Sequence, residues 1–262
     1  ITSGAVTLTF TAIGYSPCGN TSDSIILYID SVTYGNSSEV ACDSFNWNGT
    51  IIDTSGIYID TFINAKNCDS IHTLNLTINY TPTAYAGLDA TICSDTTYVV
   101  GGSATNDSSV IWTTSGDGTF SDPTINNPVY TPGPNDIING CITLTFTAIG
   151  YNPCGNTSDS MVLCITQAPT AYAGLDATIC SDTTYVVGGT ATNDSSVIWT
   201  TSGDGYFNNP NQYFTRYNPG PNDITSGAVT LTFTAIGYSP CGNTSDSIIL
   251  YIDSVTYGNS SE

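Results

Sequence analysis

The sequence predicts an all-β chain built from several small sandwiches in tandem. Thr, Ser, Asn, Gly and Tyr dominate its 262 residues, whereas Lys and Arg together number two and Met one. Most strong helix formers are therefore scarce, and the residues that remain suit strands and turns. Apolar and polar residues alternate along many short segments, and the chain repeats itself internally. These three observations together give the fold class.

The charge balance is strongly acidic. Asp and Glu number 22, so the formal net charge is −20. Binding to nucleic acid and docking on anionic lipid are excluded, because both depend on Lys and Arg. No apolar run reaches the length of a membrane span, so membrane insertion is not expected. Only 9% of the residues are charged and 11% are aromatic, which favours folded cores over disorder.

Two internal repeats set the expected domain boundaries. Residues 82–167 realign on 169–254 with a constant offset of 87, and residues 1–39 recur letter for letter as 224–262. This pattern indicates beads on a string, taken from a longer array. The expected segments are the C-terminal half of a preceding immunoglobulin-like repeat (1–32), a small β domain (33–81), two complete repeats (82–168 and 169–255) and the start of another small domain (256–262).

Each 87-residue unit contains about seven short strand patterns. The first unit reads ATIC, TTYVVGG, SSVIWTTSG, a GDG turn, a stretch rich in Pro and Asn, CITLTFTAIG and SMVLCIT. The apolar face of the strand at 141–150 consists of Ile142, Leu144, Phe146 and Ala148. Short strands, frequent turns and a Trp on an early central strand favour a Greek-key sandwich of immunoglobulin type, with Trp112 and Trp199 in its cores.

The small unit at 33–81 has strand patterns of its own, CDSFNWNGT, IYIDTFINAKNC and DSIHTLNLTIN. Its last strand places His72 in phase with Leu74, Leu76 and Ile78, so we expect this histidine to be a buried or half-buried strand residue. It has no acidic or cysteine neighbour at metal-ligand spacing. A unit this short cannot hold together by burial alone and needs a staple.

Nine cysteines indicate disulfides and an oxidising, extracellular setting. Zinc is the alternative for paired cysteines, but the chain contains no C-x₂-C motif. Cys18 is a copy of Cys241, and its partner is expected outside the given sequence. The expected bonds among the other eight are Cys42–Cys68, Cys93–Cys154, Cys141–Cys164 and Cys180–Cys241.

The pair Cys141 and Cys164 has its own argument. Both are missing from the second unit, where Ala228 and Tyr251 stand instead. Joint loss is what a bonded pair predicts. Folding the last two strands of the unit as a hairpin also places residue 141 opposite residue 164 on the outer face.

Motifs for catalysis are missing from the sequence. There is one His, and there is no G-x-S-x-G, P-loop or H-E-x-x-H, so we expect no enzymatic activity and no cofactor. The GDG at 116–118 and 203–205 lacks the spacing of a calcium loop and is interpreted as a tight turn. Calcium held between units by Asp89, Asp107 or Asp136 remains an alternative, because Asp supplies hard oxygen ligands.

The two large units differ most at 119–131 against 206–218, where ten of thirteen positions have changed. The second copy gathers aromatic residues there, which predicts either a contact patch for a partner or surface, or a drifted loop that covers a neighbouring unit. The candidate patch consists of Tyr206, Phe207, Tyr213, Phe214, Arg216 and Tyr217.

A ladder of Thr residues on the outer faces is interpreted as a solvated sheet surface. Binding of ice-like water and attachment of glycans are the alternatives for this ladder. Its members are Thr143, Thr145, Thr147, Thr230, Thr232 and Thr234.

The run AGLDATICSDTTYVVGG…VIWTTSGDGTF…VTLTFTAIGYSPCGNTSDSIIL resembles the immunoglobulin-like and PKD-like repeats of giant surface proteins in Bacteroidota. The small unit resembles another repeat of those proteins. Members include type IX-secreted adhesins such as the SprB-type gliding-motility filament, so the resemblance implies cell-surface attachment or gliding.

The resemblance also implies O-glycans on Ser or Thr that follows Asp and precedes a small or aliphatic residue. An unmodified turn before a strand is the alternative. The matching residues are Ser24, Ser70, Thr96, Ser160, Thr183 and Ser247.

The functional hypothesis is a non-enzymatic extracellular filament or stalk of a giant repetitive adhesin. Its expected partners are neighbouring repeats, other copies in a filament and surface glycans. One alternative is a glycan- or surface-binding module that uses the aromatic loop at 206–217. Another is a polymer of subunits joined by strand exchange, in which residues 1–39 fill the sheet of another copy, because a lone hairpin is marginal in water. A third is an ice-binding array.

Overall fold

The structure, a computed structural model, describes residues 4–65 and 67–254. They form strands and two six-residue helices, so the all-β prediction is confirmed. Neither of the helices in this part of the chain has the length and apolar character needed to cross a membrane. Contacts divide the chain into one unit of Ile1–Pro82, Asn106–Ser108 and Ile149–Thr157, and a second of Thr83–Thr105, Ser109–Ala148 and Ser158–Glu262. The five predicted segments stay a prediction, and 256–262 lies outside the described residues.

The first two strands form an isolated antiparallel ribbon. Strand β1 (Gly4–Ala12) pairs with β2 (Thr21–Ile29), and Gly4 lies opposite Ile29. All residues of β1 are exposed, and Phe10 shows 76% of its surface. The same sequence recurs near the end of the chain, where it is buried.

A small domain follows the ribbon. Its strands are β3 (Thr33–Cys42), β4 (Phe45–Trp47), β5 (Thr50–Ile52), β6 (Gly56–Ile63) and β7 (Asp69–Asn79). Strand β7 is central, with β3 parallel to it on one side and β6 antiparallel on the other. Leu74, Leu76 and Ile78 on β7 are buried together with Ile52. His72 is half-buried in the same strand, as expected, and its Nε2 lies 2.9 Å from the Ser37 hydroxyl.

The first sandwich spans β8 to β16. Its elements are β8 (Thr83–Tyr85), β9 (Ala90–Cys93), β10 (Tyr98–Val99), β11 (Ser103–Thr105), β12 (Asp107–Thr114), β13 (Thr119–Phe120), β14 (Val129–Thr131), α1 (Pro134–Asn139), β15 (Cys141–Gly150) and β16 (Thr157–Thr166). One sheet has the order β12-β15-β16-β9, with β9 parallel to β16. A sheet of order β10-β14-β13 and the pair β8–β11 complete it.

The second sandwich repeats this arrangement. Its elements are β17 (Thr170–Tyr172), β18 (Ala177–Cys180), β19 (Tyr185–Gly188), β20 (Thr190–Thr192), β21 (Asp194–Thr201), β22 (Tyr206–Phe207), β23 (Phe214–Asn218), α2 (Pro221–Ser226), β24 (Ala228–Gly237) and β25 (Thr244–Asp253). The sheets have the orders β18-β25-β24-β21 and β19-β23-β22, with β17 paired to β20. Strand β18 is parallel to β25.

Each sandwich has its own core around a tryptophan. Trp112 and Trp199 are 2% and 1% exposed, and each ring centroid lies 4.9 Å from that of a phenylalanine on the neighbouring strand, Phe146 or Phe233. The predicted inner face of β15 is buried throughout, because its residues alternate with the outward Thr side chains. The alternation pattern therefore predicted the central strands correctly.

Candidate functional site

Two of the three disulfides in the described part of the chain connect successive β units rather than closing one unit on itself. Cys42 is bonded to Cys154, and Cys93 is bonded to Cys241, with Cα–Cα distances of 5.0 and 4.9 Å. This corrects three expected pairs, namely Cys42–Cys68, Cys93–Cys154 and Cys180–Cys241. The fourth expected bond, Cys141–Cys164, is present in the hairpin of β15 and β16.

The parallel pairing of first and last strands explains the correction. Cys180 ends β18 opposite Asp253, the last residue of β25, whereas Cys241 precedes the first residue of β25, Thr244. A ten-residue strand is about 30 Å long, so the two cysteines lie at opposite ends of the sheet. Cys42 and Cys68 have the same relation to β7, and the first sandwich has the same strand arrangement.

The junction between the two sandwiches consists of the disulfide Cys93–Cys241 and two hydrogen bonds to the linker residue Ala168. Cys93 and Cys241 are 4% and 9% exposed, so their bond is shielded from solvent. The linker residue Ala168 donates its N–H to the Ser94 hydroxyl at 2.9 Å, and its carbonyl accepts from the Asn193 side chain at 3.2 Å. The linker is therefore held by a residue of each sandwich as well as by the covalent bond.

The junction at Cys42–Cys154 repeats this construction. Asn106, which stands 87 residues before Asn193, donates to the carbonyl of Thr81 at 3.5 Å. Both asparagines have positive φ, 58° and 56°, a conformation that Asn tolerates better than most residues. Thr81 in turn donates its N–H and its hydroxyl to Asp43, at 2.9 and 2.6 Å, and these hydrogen bonds lower the pKa of Asp43.

A buried carboxylate locks the GDG turn of each sandwich to the following helix. Asp136 accepts hydrogen bonds from the Tyr130 hydroxyl at 2.7 Å and from the N–H groups of Asp117, Gly118 and Gly133 at 2.9, 2.9 and 3.0 Å. Burial alone would raise the pKa of Asp136, but the hydrogen bonds outweigh it and the pKa is lowered. Burial of the Tyr130 hydroxyl, next to that carboxylate, raises its pKa to about 12.

The same lock in the second sandwich uses Asp223, 2% exposed, and Tyr217, whose hydroxyl donates to it at 2.6 Å. Burial raises the pKa of Tyr217. These contacts agree with the tight-turn interpretation of GDG and occupy both oxygens of Asp136. Within the described residues, no group of three or more His, Cys, Asp or Glu is placed to hold a metal ion. The calcium alternative stays a prediction.

The structure divides the candidate aromatic patch between two faces. Tyr217 is fully buried, and Phe207 packs against the same core, so these two residues cannot belong to a contact surface. Tyr206, Phe214 and Arg216 lie on the outer side of the sheet formed by β19, β23 and β22, with Tyr206 and Phe214 65% and 67% exposed. This corrects the six-residue patch, because side chains alternate along β23.

Tyr213 sits just before β23 and has internal partners. Its hydroxyl donates to Asp194 at 2.6 Å, and its ring lies 6.1 Å from that of Phe233. In the first sandwich, the Trp112 indole donates to the carbonyl of Asn126 at 3.1 Å. Trp199, its counterpart, has no hydrogen-bond partner for Nε1 among the described residues. The replaced segment therefore changes the core as well as the surface.

The outer Thr residues pair with Ser on the neighbouring strand. Thr145 with Ser160 and Thr232 with Ser247 have hydroxyl oxygens 2.9 Å apart. Among the predicted glycosylation residues, Ser70 is half-buried and the other five are exposed. Those five are Ser24, Thr96, Ser160, Thr183 and Ser247.

Two sets of site residues were missed at the sequence level. The junction asparagines, Asn106 and Asn193, are identical in both units, as are the turn carboxylates Asp117 and Asp204. Identity between the copies was the available signal. Phe207 and Tyr217 carry the same signal, because Phe120 and Tyr130 stand at the matching positions within the otherwise changed segment.

Comparisons with known proteins give distant structural matches. No protein-family model matches the sequence, and no curated protein does. Among solved structures, the I-band fragment I67–I69 from titin aligns with a TM-score of 0.42 at 12% identity, over 84% of this chain and 96% of that one. Extracellular domains 3–5 of Drosophila OTK align with a TM-score of 0.40 at 14% identity, over 76% and 71%. The cadherin domains EC1–4 of PcdhgB3 align with a TM-score of 0.41 at 12% identity, over 97% and 83%.

Proposed function

We propose that this chain is a tension-bearing, non-enzymatic part of an extracellular filament or stalk. The observation that carries the proposal is the pair of disulfides Cys42–Cys154 and Cys93–Cys241, each of which joins consecutive β units. A bond inside one unit stabilises that unit alone, whereas a bond between units also transmits force from one to the next. The three disulfides of the described residues further support an oxidising, extracellular location.

The finer assignment is a giant repetitive adhesin of the SprB type, secreted by the type IX route in Bacteroidota, that serves attachment or gliding. It rests on the resemblance of the repeats. Tandem sandwiches with covalent junctions suit such a role, because the distance spanned grows with each added unit. The exposed glycosylation candidates also suit a glycoprotein at the cell surface.

The two disulfide loops overlap, and this sets how far the chain can be stretched. The bond between Cys93 and Cys241 closes a loop of 148 residues. While it is intact, the shortest covalent path between the chain ends bypasses that loop. At about 3.3–3.6 Å per residue, the closed loop shortens the greatest possible distance between the chain ends by roughly 500 Å. A filament built this way cannot be drawn out to its full contour.

Single-molecule stretching between the two termini tests the proposal. We expect the oxidised chain to stop roughly 500 Å short of the chain treated with a reductant. A variant with Cys93→Ser and Cys241→Ser should gain part of this length, because Cys42–Cys154 then shortens the path instead. The matched control, Cys42→Ser with Cys154→Ser, should stop where the oxidised parent stops. Full extension of the oxidised parent would contradict a tension-bearing role.

Contact with a glycan or a surface is a second candidate role. It is favoured by Tyr206 and Phe214, which are exposed where the first sandwich has Thr119 and Asn127. A glycan array gives the test, with Tyr206→Thr and Phe214→Asn as the variant, since it restores the residues of the first sandwich. Binding that disappears in the variant supports this role, and a signal equal to that of the parent contradicts it.

Strand exchange between copies receives no support from energetics. The ribbon of β1 and β2 has the same sequence as the hairpin of β24 and β25. Replacing one by the other in a second copy would bury one set of side chains and expose an identical set. The net change in buried area is therefore close to zero, and exchange alone gives no driving force.

A further inference from the structure

The small domain contains a groove that the proposed filament role does not use. It lies between strand β6 and the hairpin of β4 and β5, and its volume, about 460 Å³, is typical of a ligand-binding cleft. Aromatic, aliphatic and acidic side chains line it together, among them Trp47, Ile51, Asp53, Tyr58, Ile59 and Asp60. No basic residue is among the described residues of this lining.

Both strands beside the groove are edge strands. Among the described strands, β6 is paired only with β7, and β5 only with β4. The register of β6 against β7 continues from Gly56 to Ile63 without a bulge. Strand β6 contains no Lys and no Pro, two residues that often protect an edge, and its Ile57 and Ile59 are 71% and 68% exposed. The edge is therefore regular and apolar, and it can pair with one more strand.

The two carboxylates of the groove are only partly used by the protein itself. Asp60 accepts a hydrogen bond from the Asn48 side chain at 3.0 Å and one from the N–H of Thr61 at 2.8 Å. These two bonds hold its carboxylate in place, whereas a carboxylate can accept about four. Asp53 accepts from the Tyr80 hydroxyl through its main-chain carbonyl at 3.0 Å, and its carboxylate has no partner among the described residues. Both carboxylates can therefore accept hydrogen bonds from a ligand.

A positively charged ligand fits this lining best. The carboxylates attract it, the Trp47 ring can hold a cation over its face, and the net charge of −20 favours its approach. A guanidinium group suits both features, because it pairs with a carboxylate through two parallel hydrogen bonds and stacks on an aromatic ring. Pairing of β6 with the β6 of another copy is disfavoured, because each strand brings Asp60 and no basic residue.

We propose that the groove binds an extended basic peptide, which adds to the open edge of β6 as a further strand. Side chains alternate along a strand, so peptide residues on the side of Tyr58 and Asp60 should be arginine, and those on the side of Ile57 and Ile59 should be apolar. The preferred sequence therefore alternates Arg with a β-branched residue such as Val. Recognition of a second protein in this way goes beyond the proposed filament role and does not depend on it.

Binding of a labelled peptide as long as β6, in which Arg alternates with Val, tests the proposal on the full chain. Fluorescence anisotropy gives the affinity. Tryptophan emission locates the site, because Trp112 and Trp199 are buried and Trp47 lies at the groove. We expect saturable binding that shifts the Trp47 emission and slows amide hydrogen exchange in β6. Replacing every Arg of the peptide by Gln should weaken binding at least about 10-fold, because the charge-assisted hydrogen bonds are lost.

Variants of the groove test the same contacts from the side of the protein. Asp53→Asn with Asp60→Asn removes two charges while keeping the side-chain shapes, and it should weaken binding at least about 10-fold. Asp53→Asn alone breaks no hydrogen bond of the described residues, so it leaves the fold intact and should weaken binding about 3-fold. The matched control, Asp95→Asn with Asp182→Asn, removes two exposed charges from turns of the sandwiches and should bind as the parent does.

Equal affinity for the Arg and Gln peptides would overturn the proposal, and so would equal affinity of the parent and the variant Asp53→Asn with Asp60→Asn. Binding that leaves exchange in β6 unchanged, or no binding at about 1 mM peptide, would do so as well. If neutral oligosaccharides shift the Trp47 emission and the Arg peptide does not, the groove is a sugar site and the proposal is wrong. None of these results would alter the stretching experiment, which depends on Cys93 and Cys241.

Discussion

At the scale of single residues, the buried aspartates Asp136 and Asp223 show how each sandwich accommodates a charge in its interior. Asp136 is fully buried, yet its carboxylate collects four hydrogen bonds from a turn, a helix start and a tyrosine. A buried charge is tolerable only when it is hydrogen-bonded in this way. The GDG glycines belong to the same device, because a Cβ on Gly116 or Gly118 would collide with this carboxylate.

We expect Asp136→Asn to lower the free energy of unfolding of the first sandwich by about 2–3 kcal/mol, because one amide NH₂ would face groups that also donate. Urea unfolding measures the loss. Asp95→Asn, an exposed change in a turn, is the control and should stay within about 0.5 kcal/mol of the parent. Equal stabilities for Asp136→Asn and the parent would contradict the assigned role of the carboxylate.

The same residue predicts a pH dependence. The pKa of Asp136 is lowered in the folded state, so its contribution is complete above the unfolded value, about 3.9, and is lost as the pH falls through the folded value. The difference in unfolding free energy between the parent and Asp136→Asn should therefore be constant near neutral pH and shrink in strong acid. Measurements at pH 7 and in steps below pH 4 check this. A difference that grows as the pH falls would reverse the sign of the argument.

At the scale of elements, one sequence occurs in two environments. Leu231 and Phe233 of β24 are fully buried, whereas Leu8 and Phe10 of β1, with identical neighbours in sequence, are 50% and 76% exposed. Local sequence therefore specifies the strands and their hairpin, but the other strands of the sandwich decide whether a face is buried. The ribbon shows what the hairpin looks like without that cover.

This pair gives a prediction with an internal control. Phe233→Ala should destabilise the second sandwich by about 3–5 kcal/mol, because it removes a buried ring that packs on Trp199. Phe10→Ala, the identical change in the identical local sequence, should change stability by less than about 0.5 kcal/mol. Thermal and urea unfolding of both variants make the comparison. Similar losses for the two would show that the ribbon is covered in solution.

The disulfide Cys141–Cys164, within the hairpin of β15 and β16, allows the contribution of a local cross-link to stability to be measured. The second sandwich folds with Ala228 and Tyr251 where the first has Cys141 and Cys164. Replacing the cysteines by Cys141→Ala and Cys164→Tyr should lower the unfolding free energy by about 2–3 kcal/mol, since the bond closes a loop of 23 residues. Urea unfolding under non-reducing conditions measures it. No loss would show that the Ala–Tyr pair packs as well as the bond constrains.

At the scale of the whole molecule, the features that depend on residues close together in the sequence were predicted correctly. Alternation identified the buried face of β15, and the composition gave the all-β class. Three disulfide pairings were predicted wrongly, because they depend on the parallel pairing of the first and last strands of a unit. No local sequence pattern reveals that Cys180 and Cys241 lie at opposite ends of a sheet. The predicted aromatic patch included too many residues, because the alternation of inward and outward side chains along β23 was not considered.

The net charge of −20 also acts on the whole molecule, and it predicts a dependence on salt. With only two basic residues, most charge pairs repel, and folding brings them closer. Added salt screens this repulsion, since the screening length falls from about 30 Å at 0.01 M to about 10 Å at 0.1 M. The midpoint of thermal unfolding should therefore rise by several degrees between these two concentrations of NaCl. An equal osmolality of an uncharged sugar alcohol controls for general solvent effects and should give a smaller rise. If the midpoint fell with salt, net attraction between the charges would have to outweigh repulsion, and the acidic surface would need another explanation.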